Sequence, residues 1–382
     1  MTQSDNRWLN KAQALSREVL APHADDVDRQ GRWPEESIGA LRASGLLGLT
    51  VPEGYGGAGE GARTFAAVAR TLAEHCASTA MIYLMHVCAA QTIGAAEQFT
   101  EREELLRSIA AGRHVSTLAF SEKGSRSHFW APVSQAVVEG DGHRLSADKS
   151  FVTGAGRVDS YIVSTRSAGA SDPMASTLYY VPKGAPGVTV GEAWNGLGLR
   201  GNASAPMRLD RAAASPSYRL CDDGAGFAMM MSAALPWFQV GSAAVSVGIA
   251  RAATDGTRQH LLAAKLEHLG QSLADLPNLR ARLAQMQIAT DTQQAFLEHV
   301  AGMMESPVPA TLLGLLESKA SAADAALHVS DLAMRVCGGA AFGRRLSVER
   351  NFRDARAAAI MAPTTDVLHD FVAKTLLEMP LF

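Results

Sequence analysis

Proton transfer needs a side chain of suitable pKa within hydrogen-bond reach of the reacting atom, and few residues of this 382-residue chain qualify by type and setting. His86 ends the apolar run Met81-Ile82-Tyr83-Leu84-Met85-His86. A histidine among such neighbours is either a core residue satisfied by its surroundings or a group that faces a pocket. Asp366 lies just before Val367, where a carboxylate reads equally as a base or as an N-terminal helix charge. His369 follows by less than one helical turn, with a solvated helix face as the plain alternative. The loop from Glu122 to Trp130 carries Lys123, Arg126 and His128, which either steer an anionic ligand or face solvent. Arg344-Arg345 and the run Arg350 to Arg356 suit solvent or a phosphate-bearing ligand.

Bulk properties narrow the function classes. A formal charge of −3 gives no polyanion partner, and no nucleic-acid recognition motif is present. Cys76, Cys88, Cys221 and Cys337 are far apart and form no C-x-x-C pair, so buried free thiols are expected rather than a metal site or a disulfide frame. The start, Met1 to Lys11, is polar and lacks a secretory apolar stretch, and no apolar run is read as reaching membrane-spanning length. The expectation is a soluble cytoplasmic protein without a metal. No Gly-x-Gly-x-x-Gly turn follows a strand, which argues against direct use of a nicotinamide dinucleotide.

The elements that must position these residues fall into three stretches. Residues 1–115 read as helices, with Leu9, Ala12, Leu15 and Val19 at helical spacing, a turn-rich patch Val51 to Gly59, and a long central helix from Ala66 past Cys76 to Ala96. Residues 116–222 carry short β-prone runs, among them Tyr161 to Thr165 and Thr177 to Val181, separated by Gly-rich turns; these indicate an antiparallel sandwich or barrel. Residues 223–382 return to helix, at Gly241 to Arg258, Leu261 to Glu267, Leu276 to Met304 and Leu312 to Val336, as an antiparallel bundle. The fold class expected is α+β multidomain: an N-terminal helical domain, a central antiparallel β domain and a C-terminal four-helix bundle.

That order, together with six local motifs, resembles the acyl-CoA dehydrogenase superfamily across nearly the whole chain. Val51-Pro52-Glu53-Gly54-Tyr55-Gly56-Gly57 resembles the family's Pro-Glu-x-Tyr-Gly-Gly turn, and Leu118 to Ser127 its T-E-P-x-A-G-S-D strand and loop. Lys149-Ser150-Phe151-Val152-Thr153-Gly154 is similar to K-x-W-I-T-N, and Leu197 to Ser204 to (L/M)-G-x-R-G-S-x-(S/T). Cys337-Gly338-Gly339, then Val348-Glu349-Arg350 and Arg353-Asp354, echo G-G-x-G-(Y/F) and P-V-E-R-x-x-R-D. The resemblance implies FAD. An isoalloxazine ring needs a flat apolar wall and hydrogen-bond donors at its edge. By the resemblance, Leu118, Phe120 and Ser121 line that ring, Phe151 and Thr153 cover its other side, and Ser127 approaches phosphate or cofactor from the loop. Thr364 stands where the family's threonine stands. The family grips the far end of FAD partly from a neighbouring subunit. Here Leu266 to Gly270 lacks the expected arginine, and Arg335 occupies the usual glutamine position, where with Lys265 it would pair with phosphate. Gly338 and Gly339 would allow close backbone approach, or form a helix C-cap. A homodimer or homotetramer is implied, with an acyl-CoA or related acyl substrate and an electron-transfer flavoprotein or flavin reductase as partner.

One departure bears on the reaction. The run Arg353 to Thr364 keeps the family's register, yet Ala362 replaces the glutamate that takes the α-proton. The alternative site on the first bundle helix, Leu235 to Gly241, holds no carboxylate either. Three readings follow. An FAD-dependent oxidoreductase oxidises a CH–CH bond of an acyl thioester with a non-standard base, His86 or Asp366. Alternatively, the chain is a flavin-dependent monooxygenase or a desulfinase, for which Gln239 and an arginine would hold the sulfinate. In the third, it is a catalytically silent binder of acyl-CoA or flavin. Met229-Met230-Met231 and Trp237-Phe238 are candidates for the pocket lining.

Overall fold

The computed structural model describes residues 3–172 and 174–382. Six helices open the chain: α1 (Gln3–Leu15), α2 (Ala21–Gln30), α3 (Glu35–Ser44), α4 (Ala62–Ala73), α5 (Ala77–Gly94) and α6 (Arg102–Ala110). The single long helix expected across Cys76 is two helices, because Cys76 adopts an extended conformation (φ −145°, ψ 98°) and restarts the chain as the N-cap of α5. α5 is apolar on nearly every side and runs through the core, as a helix without a polar face must.

Seven strands follow: β1 (Ser116–Ala119), β2 (Val137–Glu139), β3 (Gly142–Val152), β4 (Ser160–Arg166), β5 (Ser176–Pro182), β6 (Val188–Val190) and β7 (Ala205–Ala214). They form two sheets, β1-β4-β5 and β2-β3-β7-β6. Every pairing in these two sheets is antiparallel except β1 with β4, which is parallel and sets Ser116 opposite Ser160. β7 alternates buried and exposed residues, whereas β4 and β5 are buried almost continuously, so both their faces are covered. The β3–β7 ladder shifts register between Lys149 and Val152. A bulge re-aims the side chains around it, and this one carries Phe151.

The C-terminal part contains α7 (Gly226–Met229), α8 (Leu235–Ala263), α9 (Pro277–Glu305), α10 (Thr311–Cys337), α11 (Gly339–Phe342), α12 (Val348–Ile360) and α13 (Thr365–Leu376). The helix expected over Leu261 to Glu267 stops at Ala263. Lys265–Leu266 pairs instead with Gln271–Ser272 in a small hairpin whose turn places Gly270 at φ 60°; turn chemistry overrides helix propensity there. Among the described residues, Gly226–Ala263 is long and apolar enough to cross a membrane, contrary to the expectation from sequence, but 78% of its most apolar window is buried inside this fold. It is the central rod of the bundle. All four cysteines are buried and unpaired.

Two buried polar devices join these layers. Lys149 of β3 is fully buried, and its Nζ donates to Glu122 Oε1 at 2.6 Å and to the carbonyls of Ser164 and Phe120. Glu122 also accepts from the backbone N–H groups of Val133 (2.9 Å) and Ser134 (2.8 Å). Burial raises the Glu122 carboxyl, but the Lys149 ammonium and the Ser134 bonds outweigh it and hold the group below the usual range. The pair ties the loop after β1 to the sheet.

His86 is the second device. Its Nδ1 accepts the Ser116 N–H at 3.2 Å, so Nε2 carries the proton and donates to the Leu47 carbonyl at 3.0 Å. Both ring nitrogens are spent on joining α5 to β1 and to the turn after α3. The reading of His86 as a base is therefore corrected. It is fully buried, and burial drags its imidazole down to about 4, with the Leu47 carbonyl working weakly the other way.

Two outcomes are expected. Lys149→Met leaves Glu122 buried without its counter-charge, and urea unfolding should show a loss of about 3–5 kcal/mol, partly recovered in the Lys149→Met/Glu122→Gln pair. For His86 the folded pKa lies below the unfolded value near 6.5. Its stabilisation is therefore present above pH 6.5 and lost as pH falls toward 4, by roughly 3 kcal/mol. Unfolding free energies measured over that window should slope less steeply in His86→Gln than in the wild type.

Candidate active site

The β domain, α5, α8 and α12 enclose a cavity of about 790 Å³, a size typical of small-molecule sites. The end of β1 and the residues after it bring Leu118, Phe120 and Ser121 to its wall. α5 contributes Met81 and Met85, one turn apart on one face; α8 contributes Leu235 and Phe238; the end of α12 and the segment beyond it contribute Ala357, Ile360, Met361, Ala362 and Thr364.

The opposite wall comes from the β3 bulge. Phe151 sits at φ 55°, in the left-handed region that an aromatic residue rarely enters, so its ring leaves the sheet surface and stays 68% exposed. It meets Trp194 edge-on at 6.1 Å. Thr153 follows, its hydroxyl paired with that of Ser204 at 3.2 Å. Ser127 Oγ accepts the Thr364 N–H at 3.0 Å, and Thr364 in turn caps α13 by accepting from Val367 N–H. The loop after β1 is thereby pinned to the N-terminus of α13.

A third wall is the turn from Leu197 to Ser204. Here α12 takes hold: Arg353 donates to the Leu197 carbonyl at 3.1 Å, and Asp354 accepts the Leu199 N–H at 2.7 Å. The approach is so close that a Cβ on Gly198 would lie 2.5 Å from the Arg353 carbonyl oxygen. Burial pushes the Asp354 carboxyl up to about 6, against the opposing Leu199 bond and Arg350.

The ionisable side chains lining the cavity are Glu122, Lys123, Arg126, Arg353 and Arg356. Glu122 is committed to Lys149, and Arg353 to Asp28 and Glu349. Arg356 stacks on the Phe352 ring, 3.8 Å from its centroid. No histidine, cysteine, aspartate or tyrosine is among the lining residues. Ala362 presents a methyl group, which cannot accept a proton.

Of the residues singled out from sequence, Leu118, Phe120, Ser121, Ser127, Phe151, Thr153 and Thr364 come together here with Ala362. Asp366 does not. It is exposed in the first turn of α13 and borders a separate hollow of about 500 Å³ beside His128, Trp130 and Phe371; a base in the cavity is not what it supplies. Arg335, Gly338 and Gly339 are exposed at the end of α10, outside this cavity, and Arg335 lies 3.8 Å from Asp331. His369 is exposed, 3.5 Å from Asp324. Gln239 of α8 and Met230, just before that helix, are fully buried and off the lining; Trp237, half-buried and packed on Phe65, is off it too.

Sequence reasoning missed Met81, Met85, Trp194 and Asn202; Arg356 belongs to the basic run offered for solvent or a phosphate-bearing ligand. The methionines share the run that singled out His86, and their i, i+4 spacing was the available signal. Trp194 lies in irregular chain and gave none. Asn202 stands inside a quoted motif, and its Oδ1 is buried without a partner.

These groups fit a planar, polar-edged ring: aromatic wall, hydroxyls of Ser121 and Thr153 at the rim, and the unpaired acceptor of Asn202. Comparisons with known proteins agree. The family models described as acyl-CoA dehydrogenase N-terminal, middle and C-terminal domains match residues 2–113, 117–212 and 224–377 in that order. The probable acyl-CoA dehydrogenase YngJ of Bacillus subtilis is 26% identical over 395 residues, covering 98% of this chain and 100% of that protein. The 3-sulfinopropanoyl-CoA desulfinase of Paraburkholderia xenovorans is 28% identical over 389 residues, covering 100% of this chain and 98% of that one. The structure of butyryl-CoA dehydrogenase from Megasphaera elsdenii superposes with a TM-score of 0.92 at 23% identity, covering 99% of both chains. The three consecutive domains, in family order and spanning nearly every residue, make this chain a flavoprotein oxidoreductase of the acyl-CoA dehydrogenase family.

Proposed function

We propose that the cavity holds FAD together with an acyl thioester, and that oxidoreduction of the acyl group proceeds with no protein carboxylate as proton acceptor. The observation that carries this reading is the lining itself: its one carboxylate, Glu122, is tied to Lys149, and Ala362, which the sequence resemblance pairs with the family's glutamate, presents only a methyl there. Bound flavin would supply a two-electron acceptor or donor. Leu118, Phe120 and Ser121 would flank its ring on one side and Phe151 and Thr153 on the other, while Ser127 and Thr364 would face its phosphates. Arg335, Gly338 and Gly339, exposed at the end of α10, would serve the cofactor of a second copy in a homodimer or homotetramer. The acyl chain would lie on the apolar floor of Met81, Met85, Leu235, Phe238 and Met361, with an electron-transfer flavoprotein or a flavin reductase as redox partner.

Physical chemistry sets the consequence. A positioned general base contributes roughly 10²–10⁴-fold to proton abstraction, so a saturated acyl thioester whose α-proton must leave is handled slowly here. The same feature favours a second reading, in which no α-proton is taken: monooxygenation with supplied reduced flavin, or loss of sulfite from a sulfinated acyl thioester. The relative named as a desulfinase supports the latter. The position of Gln239, buried off the lining, argues against the sulfinate contact expected of it.

The test is anaerobic. Flavin-loaded wild type and Ala362→Glu are mixed with a panel of saturated acyl-CoAs, and the bleaching of the flavin band is timed. The variant should be reduced roughly 10²–10⁴-fold faster than the wild type. Equal, fast reduction of both would mean that another base reaches the substrate and would overturn the proposal. A wild type that stays oxidised with every acyl-CoA, yet forms product with oxygen and reduced flavin or releases sulfite from a sulfinated thioester, establishes the second reading.

A further inference from the structure

A fully buried ammonium stands behind the wall that carries position 362. Lys319 lies on α10 with no exposed surface, and no carboxylate pairs with it among the described residues. Its Nζ donates instead to three backbone carbonyls, those of Ala358 at 3.0 Å, Met361 at 3.1 Å and Pro363 at 2.8 Å. An ammonium has three N–H donors and no acceptor, so three carbonyls satisfy it completely. Ala358 belongs to the last turn of α12, whose carbonyls have no partner within the helix, and a cation there also opposes the negative end of the helix dipole. The other two carbonyls belong to the residues immediately before and after Ala362. The same Nζ stands 5.9 Å from the centroid of the Phe238 ring, and Phe238 lines the cavity.

We propose that Lys319 is a positioning residue: by holding the end of α12 and both neighbours of residue 362 from below, and Phe238 beside them, it fixes how that residue enters the cavity. It is not the missing base. Burial without an anion pulls the amine down to about 7, but Lys319 is absent from the cavity lining and its donors point at carbonyls, leaving no lone pair aimed at a ligand. Its effect on turnover rests on the proposed reading that the reacting carbons lie beside position 362; its effect on the backbone does not.

The experiment therefore reads the backbone first. Amide hydrogen exchange by mass spectrometry is measured on flavin-loaded wild type, Lys319→Met and Lys319→Arg. In Lys319→Met, residues 358–365 should exchange at least tenfold faster, while β3 and the centre of α8 stay within twofold of wild type. Lys319→Arg, which keeps charge and donors, should recover part of that protection. If Lys319→Met does not accumulate as folded protein, Lys319→Gln, shorter and uncharged, takes its place with the same expectation. Unchanged exchange at 358–365, a rise spread evenly over the chain, or an arginine variant no better protected than the methionine one would each overturn the proposal. In the Ala362→Glu background, Lys319→Met should also lower kcat at least tenfold with KM within twofold. If exchange responds locally and Ala362→Glu shows no dehydrogenase activity, the functional reading fails and the positioning role stands.

Discussion

Two consecutive residues of α12 hold the three parts of this fold in one arrangement. Arg353 forks onto both oxygens of Asp28 in α2, reaches back to Glu349 one turn earlier on its own helix, and donates to the Leu197 carbonyl of the β domain. Asp354 takes the Leu199 N–H of the same turn. One short stretch of helix thus touches the N-terminal helices and the β domain at once, and its direction fixes where its far end delivers Met361 to Thr364. Bidentate guanidinium–carboxylate pairing supplies geometry as well as attraction. In so buried a network, losing one partner strands the rest, so this junction tolerates little change.

The cavity walls are held in backbone conformations that an isolated chain would avoid. Arg126, Phe151 and Leu199 line the cavity at φ 50°, 55° and 47°, and Ala203, between the lining residues Asn202 and Ser204, sits at 48°. Each such residue costs of order 1–2 kcal/mol without glycine's freedom. The compensation is visible around them: the β3 bulge, the Glu122–Lys149 pair beneath the loop, and the α12 grip on the 197–204 turn. Strain concentrated at the cavity and support concentrated just outside it are two sides of one construction.

Much of this was legible in the residues. Helical periodicity and short β-prone runs separated by Gly-rich turns gave the order of α, β and α, and the motif residues around Phe120, Phe151 and Thr153 lie on one cavity. What sequence obscured was rotation. On α5, Met81 and Met85 face the cavity, whereas His86, one residue on and so about 100° around the helix, turns toward Leu47 and Ser116. On α13, Thr364 at the cap faces inward and Asp366 in the first turn faces out. Neither rotation can be read without knowing what packs on the helix. Trp194 lies in a stretch with no regular period, and the hairpin at Lys265 was hidden by a run of good helix formers that a local turn overruled.

The composition of the lining has one more consequence. With no imidazole, no thiol and no uncommitted carboxylate among the lining residues, the chamber has no internal buffer. Charge that develops on a molecule held there meets cations and backbone dipoles at the wall, while the groups that burial draws toward neutrality, Asp354 and Lys319, stand behind that wall. Any response to acidity observed for that molecule would thus trace its own ionisation or reach it through the wall from these two groups, not from a side chain in contact with it.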